Sequence, residues 1–273
     1  MGTLYLVATP IGNLEDITLR ALRVLREAAL IAAEDTRVAR KLLDRYDIDT
    51  PVVSYHEHSP RSRLEEIIDA LTGGDVAAIS DAGMPGVSDP GSRLVERAVA
   101  GGYPVIPIPG ASSVIAAAAA SGLADEGFVF AGFLPRKERE RRDRLRKLAE
   151  SGLPLILFES PHRVRSLLEL LRDLFPAADV VAGREITKLH EEWLRGKPAD
   201  LIEVLIERGE FTLVIQPNLA SSPVAEIDLD ALLGAALDET ETLRDAVDRV
   251  VAATGLPRRA IYQRALALQR DNI

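Results

Sequence analysis

The 273-residue chain reads as an α/β protein: two α/β domains followed by a small C-terminal helical appendage. Three observations lead there. Short β-rich runs alternate with helical patterns five times in the first 120 residues, the same alternation restarts near Phe128, and beyond Asn218 only helix-period segments remain. The expected boundaries are 1–121 for a first domain with a parallel sheet, 122–217 for a second with a mixed sheet, 218–228 for a linker, and 229–273 for a helix-turn-helix-like end.

In the first domain the strand–helix pairs are TLYLVA with helix 17–28, LIAAE with helix 36–46, PVVSY with helix 61–71, DVAAIS with helix 90–100, and YPVIPI with helix 111–120. Serial strand–helix units joined by right-handed crossovers build a parallel sheet with helices on its faces. In the second, FVFAGF precedes a charged helix 136–150, PLILFES precedes helix 161–174, and DVVAGRE, EEWLRGKP, helix 199–208 and FTLVIQP follow. The segment NLASSPVAEID carries the turn-forming composition of a linker. Helices are then expected at 229–237, 243–253 and 257–268, with Thr242 as an N-cap, Gly255 after the second and Pro257 opening the third.

Composition narrows the function. Hydrophobic residues form 47% and charged residues 27%, a balance that supports a packed core. With no cysteine, a thiol nucleophile, a disulfide framework and a cysteine zinc site are all excluded. The N-terminus MGTLYLV has no basic n-region, and the apolar run from Val114 to Ala124 is too short to span a bilayer, so a cytoplasmic protein without membrane contact is expected. A net charge of −9 argues against non-specific coating of nucleic acid, yet residues 136–147 hold eight basic and three acidic side chains. The charge is segregated.

In parallel sheets, ligands bind beyond the carboxyl ends of the strands. The five loops on that edge are TPIGNLED, EDTR, HEHSPRSR, SDAGMPGVSDPG and PGASS, whereas the opposite edge carries plain connectors such as TGGD. Glycine and proline alone can be turn chemistry, but five such loops together suggest a site. A nicotinamide cofactor is disfavoured, because neither GxGxxG nor a Walker A sequence is present, although Glu34 and Asp35 stand where a ribose-binding acid belongs.

TPIGNLEDITLRAL, AAEDTR, YHEHS, SDAGMPGVSDPG, IPGASS, GFLP, FESPHR and REITKLHEE, in this order, resemble the ribosomal RNA small-subunit methyltransferase I family of the tetrapyrrole methylase superfamily. The likeness runs from Leu4 to about Gln216, and the final helices resemble that family's appended domain. It implies a tetrapyrrole-methylase-like fold with a methyl-donor cleft between the two α/β domains. The superfamily's glycine-rich first loop is here TPIGNLED, before a retained TLRAL, which implies the fold without the tetrapyrrole pocket. A donor without a pyrophosphate needs no run of glycines.

The resemblance implies S-adenosyl-L-methionine as cofactor, held by Pro10, Ile11 and Gly12, by Ser80, Asp81, Ala82, Gly83 and Val87, by Ser112 and Ser113, and by Phe133, Glu159 and Thr212 of the second domain. It also implies methylation of the ribose 2′-hydroxyl of a decoding-region cytidine in 16S rRNA of the small ribosomal subunit, by a homodimer. A hydroxyl nucleophile benefits from a proton acceptor, and Glu34, Asp35, His56 and Glu185 are the unranked candidates. Candidate RNA contacts are Arg37, His58, Arg61 and Arg63, the basic stretch Arg136, Lys137, Arg139, Arg141, Arg142 and Arg144, and Lys188. His56 and His58, if they alternate on a strand face, suit two metal ligands, but no third has characteristic spacing, so no metal is expected. Arg258, Arg259, Arg264 and Arg270 leave the last helices open to a nucleic-acid role or to packing alone. A tetrapyrrole-type small-molecule methylase and a non-catalytic ribosome-binding protein are the competing readings.

Overall fold

The structure is a computed structural model that describes residues 2–86, 91–218, 229–239, 242–254 and 258–271. It divides into one unit at Met1–Asn218 and another at Leu219–Ile273.

The larger unit opens with five parallel strands: β1 (Leu4–Val7), β2 (Leu30–Ala33), β3 (Val52–Ser54), β4 (Val76–Ile79) and β5 (Val105–Ile108), in the order β3-β2-β4-β1-β5. Their helices are α1 (Leu19–Glu27), α2 (Thr36–Arg45), α3 (Arg61–Gly73), α4 (Gly91–Ala100) and α5 (Ser113–Ser121). Three starts are capped as their side chains suggest: Thr18, Asp35 and Ser112 accept backbone N–H groups of the first turn. Alternating strand residues separate the two faces. Ala33, Ala77 and Ile79 pack with Ala21, Leu25 and Leu43 of α1 and α2, while Ala32, Val76 and Ala78 pack with Leu64, Ile67 and Leu94 of α3 and α4.

Helix α5 belongs to neither face. Its Val114 and Ala117 pack against Ile156, Val181 and Val214 of the second sheet, so it joins the two halves. That sheet has the order β6-β7-β10-β8-β9, from β6 (Val129–Phe133), β7 (Leu155–Glu159), β8 (Asp179–Arg184), β9 (Glu192–Gly196) and β10 (Phe211–Gln216). Only β6 and β7 run parallel, which makes it mixed as expected. Leu155, Leu157, Leu213 and Ile215 face α6 (Glu138–Ala149), α7 (Pro161–Leu174) and α8 (Pro198–Val204), and the intervening residues face α5.

The smaller unit holds α9 (Leu229–Glu239), α10 (Leu243–Thr254) and α11 (Arg258–Asp271) around Leu233, Ala246, Val247, Val250, Ile261 and Ala265. Thr242 Oγ1 accepts the Asp245 N–H at 3.1 Å, the N-cap expected there. Arg264 pairs with Asp230 and Arg258 with Asp248, so these two cations hold helices together. Gly255, Pro257 and the side chains of Arg259 and Arg270 lie outside the described residues, as does nearly all of the expected linker.

Two expectations need correction. Strand β3 ends at Ser54, so His56 and His58 sit in the following turn instead of alternating on a strand. Their rings meet edge to face at 6.4 Å, and no metal-binding group of three acids or histidines occurs among the described residues. Arg141, expected to reach RNA, is buried. It shares the inward stripe of α6 with Leu145, Leu148 and Ala149, and its Nη1 donates to Ser166 Oγ of α7 at 3.1 Å. Helical spacing turns one arginine of the basic run inward.

Candidate functional site

The carboxyl ends of the first sheet face loops of the second half across a cavity of about 420 Å³, a volume in the usual range for small-molecule sites. The first half contributes Ile11, Glu34, Ser80, Ala82, Gly83, Met84, Ser112 and Ser113, and the second Phe133, Phe158, Glu159 and Thr212 among others. Nine of the expected donor residues therefore share one space: Ile11, Ser80, Ala82, Gly83, Ser112, Ser113, Phe133, Glu159 and Thr212. Pro10 and Asp81 do not. They line a neighbouring hollow of about 130 Å³, reached past Glu34 and Ser80, which border both. Gly12 borders neither; it lies against the 186–188 loop. Val87 lies outside the described residues.

The first wall is a hydrogen-bonded unit. Thr9 and Gly83 form an isolated antiparallel bridge, with N–H···O distances of 2.9 and 3.1 Å, and the buried Thr9 hydroxyl donates to the Ser80 carbonyl at 3.0 Å. The loops after β1 and β4 are thus fastened side by side. Next to them Asp81 Oδ1 accepts the Asp35 N–H at 3.1 Å, and Glu34 accepts the Asp81 N–H at 3.3 Å. Burial pushes the Asp81 carboxyl up, with the nearby Asp35 charge adding to it. Asp81 serves here as a loop organiser, short of the main cavity.

The second wall depends on an irregular strand. Residues 130 and 133 would face opposite ways on a regular strand, but β6 carries a bulge between Phe130 and Gly132. Gly132 has φ 61°, which permits it. Phe130 and Phe133 consequently both meet Phe158, at 5.1 and 5.6 Å between centroids, and Phe133 remains 60% exposed at the cavity rim.

Of the four proton-acceptor candidates, Glu34 alone borders the cavity. Asp35 is held by Arg37, whose Nη2 lies 2.6 Å away, and that hydrogen bonding first of all lowers its carboxyl to about 2. Glu185 is desolvated, which alone would raise it, but the Glu210 N–H and Lys188 Nζ, both at 2.9 Å, bring it below the usual carboxylate range. His56 lies away from the cavity lining. Lys188 also pairs with Glu210 at 3.0 Å, so the cation expected at RNA clasps two strand ends instead.

The remaining basic candidates stand at the surface in varied partnerships. Arg61 lies 3.9 Å from Glu65, Arg63 2.7 Å from Glu66, Lys137 3.0 Å from Glu140 and Arg142 3.6 Å from Glu138. Arg37, His58, Arg139 and Arg144 are exposed. Arg136 lines an open groove of about 670 Å³ with His162 and Arg163, and this groove shares Phe133, Glu159 and Ser160 with the cavity. Sequence reasoning missed several lining residues, among them Phe158, Ile186, Glu210 and Phe211. Ser160 and Pro161 sat within the FESPHR motif and were legible; Glu210 and Phe211 carried no local signal.

A family model described as Tetrapyrrole (Corrin/Porphyrin) Methylases matches residues 3–202, and one described as RsmI C-terminal HTH domain matches residues 223–269. A curated relative in Halalkalibacterium halodurans, named ribosomal RNA small subunit methyltransferase I, is 44% identical, covering 96% of this chain and 93% of its own. The protein of that name in Synechocystis is 42% identical over 99% of this chain and 100% of its own. Among solved structures, uroporphyrin-III-C-methyltransferase from Thermus thermophilus aligns with a TM-score of 0.55 at 24% identity, over 78% of this chain and 94% of that one, a likeness of fold.

Proposed function

Because the chain belongs to the ribosomal RNA small subunit methyltransferase I family, within the tetrapyrrole methylases, we propose that it methylates the ribose 2′-hydroxyl of a decoding-region cytidine in 16S rRNA. The observation that carries this reading is near-full-length identity of 44% to a protein of that name. The acceptor atom and nucleotide are the finer part of the proposal, together with a cytoplasmic homodimer acting on small subunits. We likewise propose the division at 121/122 as the boundary between the two α/β domains. No helix among the described residues is long and apolar enough to cross a membrane.

The family's methyl donor is S-adenosylmethionine, which when bound supplies a methyl group on a positively charged sulfur. The cavity suits such a ligand. Glu34 and Glu210 give it an acidic lining for positive charge, while the capped N-terminus of α5, with Ser112 and Ser113, suits a carboxylate. Ile11, Ala82, Gly83 and Thr212 complete the holding surface. Glu34 is assigned the proton of the acceptor hydroxyl, since it stands at the meeting of the β2 and β4 loops and borders the cavity. Arg136 and Arg163, in the groove beyond Phe133, face the side from which a polyanionic acceptor approaches.

The test is incubation of unmethylated small subunits with methyl-labelled donor, then alkaline digestion. Alkaline cleavage requires a free 2′-hydroxyl, so label in an alkali-resistant dinucleotide is expected. Label in mononucleotides would place the methyl group on a base and overturn the ribose assignment.

A further inference from the structure

The small hollow beside the main cavity has a lining of its own. Leu42 and Ile79 are buried at its floor, while Leu14 and Val38 also border it and are large apolar side chains left 39% and 38% exposed. Leu14 opens the short turn after β1, and Val38 lies in the first turn of α2. Both supports are fixed: the Tyr46 hydroxyl donates to the Leu14 carbonyl at 2.7 Å, and Asp35 caps α2. Exposed apolar side chains around a solvent-reachable hollow suit a flat ring such as a base extruded from its strand.

The polar groups narrow the choice of ring. Asp81 is exposed and borders the hollow; its Oδ1 accepts the Asp35 N–H and its own N–H is held by Glu34, which pins the carboxylate. With Oδ1 so engaged, Oδ2 is the atom offered to a ligand, and a carboxylate oxygen accepts from the amino group of cytosine. Glu34 ties this hollow to the chemistry because it also borders the main cavity. In a nucleotide the 2′-hydroxyl and the base stand on neighbouring ribose carbons. A hydroxyl at Glu34 therefore places its base in a space adjoining Glu34, and the larger one is assigned to the methyl donor. The hollow, about 130 Å³ against about 420 Å³, has room for one ring and excludes the donor. We propose that it receives the extruded cytosine of the acceptor nucleotide, with Asp81 Oδ2 accepting a hydrogen bond from the exocyclic amino group. This deepens the reading of the acceptor as a cytidine ribose and rests on it. Asp81 is then a specificity residue: uracil would present a carbonyl oxygen to the carboxylate and be repelled.

The test is single-turnover methylation by the full-length protein of small subunits carrying cytidine or uridine at the target position, read as label in alkali-resistant dinucleotides. Affinity for S-adenosylhomocysteine is measured alongside by calorimetry. Wild type is expected to favour cytidine by about tenfold or more. In Asp81→Asn the amide oxygen can keep the Asp35 N–H and so turn its NH2 toward the base; the preference should fall to within about twofold or reverse, with donor affinity changed by less than about twofold. Val38→Trp, which fills the hollow from its mouth, should slow methylation of cytidine by about tenfold or more at unchanged donor affinity. A wild-type preference that survives in Asp81→Asn overturns the assignment, and so does an unchanged rate in Val38→Trp. Equal labelling of both subunits by wild type also overturns it, while leaving ribose methylation standing with the base unread. Loss of donor affinity in Asp81→Asn as large as the loss of rate would place Asp81 on the donor and overturn it likewise. Absence of dinucleotide label from wild type on either subunit would instead remove the ribose reading, and the proposal with it.

Discussion

Gly12 approaches Thr187 so closely that a β-carbon at position 12 would stand 2.7 Å from the Thr187 hydroxyl oxygen. It would also stand 2.5 Å from Lys188 Cγ and 3.1 Å from the Ile186 carbonyl oxygen. This is the use of the single glycine in TPIGNLED: it lets the first-strand loop close on a loop of the second half. That second loop is itself constrained, with positive φ at Glu185 and Thr187. Gly12→Ala is expected to cost about 1–3 kcal/mol of stability and to weaken donor affinity by shifting Ile11. Chemical denaturation and calorimetry check both. Unchanged values would mean that the 186–188 loop gives way freely.

Glu34→Gln is expected to lower the methylation rate about 10²–10⁴-fold while donor affinity changes little, because the amide keeps the shape but not the basicity. Single-turnover kinetics with calorimetry separate the effects. Equal loss in both would reassign Glu34 from proton acceptor to donor binding.

Asp35 makes a pH test. Its folded value of about 2 lies below its unperturbed 3.8, so the unfolded chain takes up the proton first on acidification. The contribution of the Asp35–Arg37 pair is complete above the unfolded value and is lost as pH falls through about 2. Since the pair is exposed, solvent screens it and the effect on stability is small. NMR titration of the carboxyl carbon should show a midpoint near 2 that moves toward 3.8 in Arg37→Ala. An unmoved midpoint would assign the depression to the backbone N–H groups that Asp35 caps.

The basic helix divides into two roles. Arg141→Ala should destabilise the protein by about 2–3 kcal/mol, as removal of a buried, hydrogen-bonded side chain, without altering the salt dependence of subunit binding. Replacing the exposed Arg136, Arg139 and Arg144 with Ala should do the reverse, reducing the salt slope by up to about one per lost phosphate contact. A slope unchanged by the triple replacement would make that face merely solvated.

Much of this architecture was legible along the chain because it rests on local physics. Period-two and period-3.6 patterns marked the strands and helices, Thr242 announced a helix start, and the loops after the five parallel strands shared one edge by topology. The ordered motifs named the family, and nine of the donor residues they implied line one cavity. Tertiary structure decided what depends on distance between residues remote in sequence. Only folding set Gly12 against Thr187, turned Arg141 to Ser166, put Asp81 beside Asp35 instead of in the main cavity, and left Glu34 as the cavity's proton-acceptor candidate. The β6 bulge shows why: one extra residue reverses the facing of Phe133, and no spacing rule reports it. A sequence pattern constrains which face a residue prefers, but burial, pairing and reach are settled by the partner segment that arrives from elsewhere in the chain.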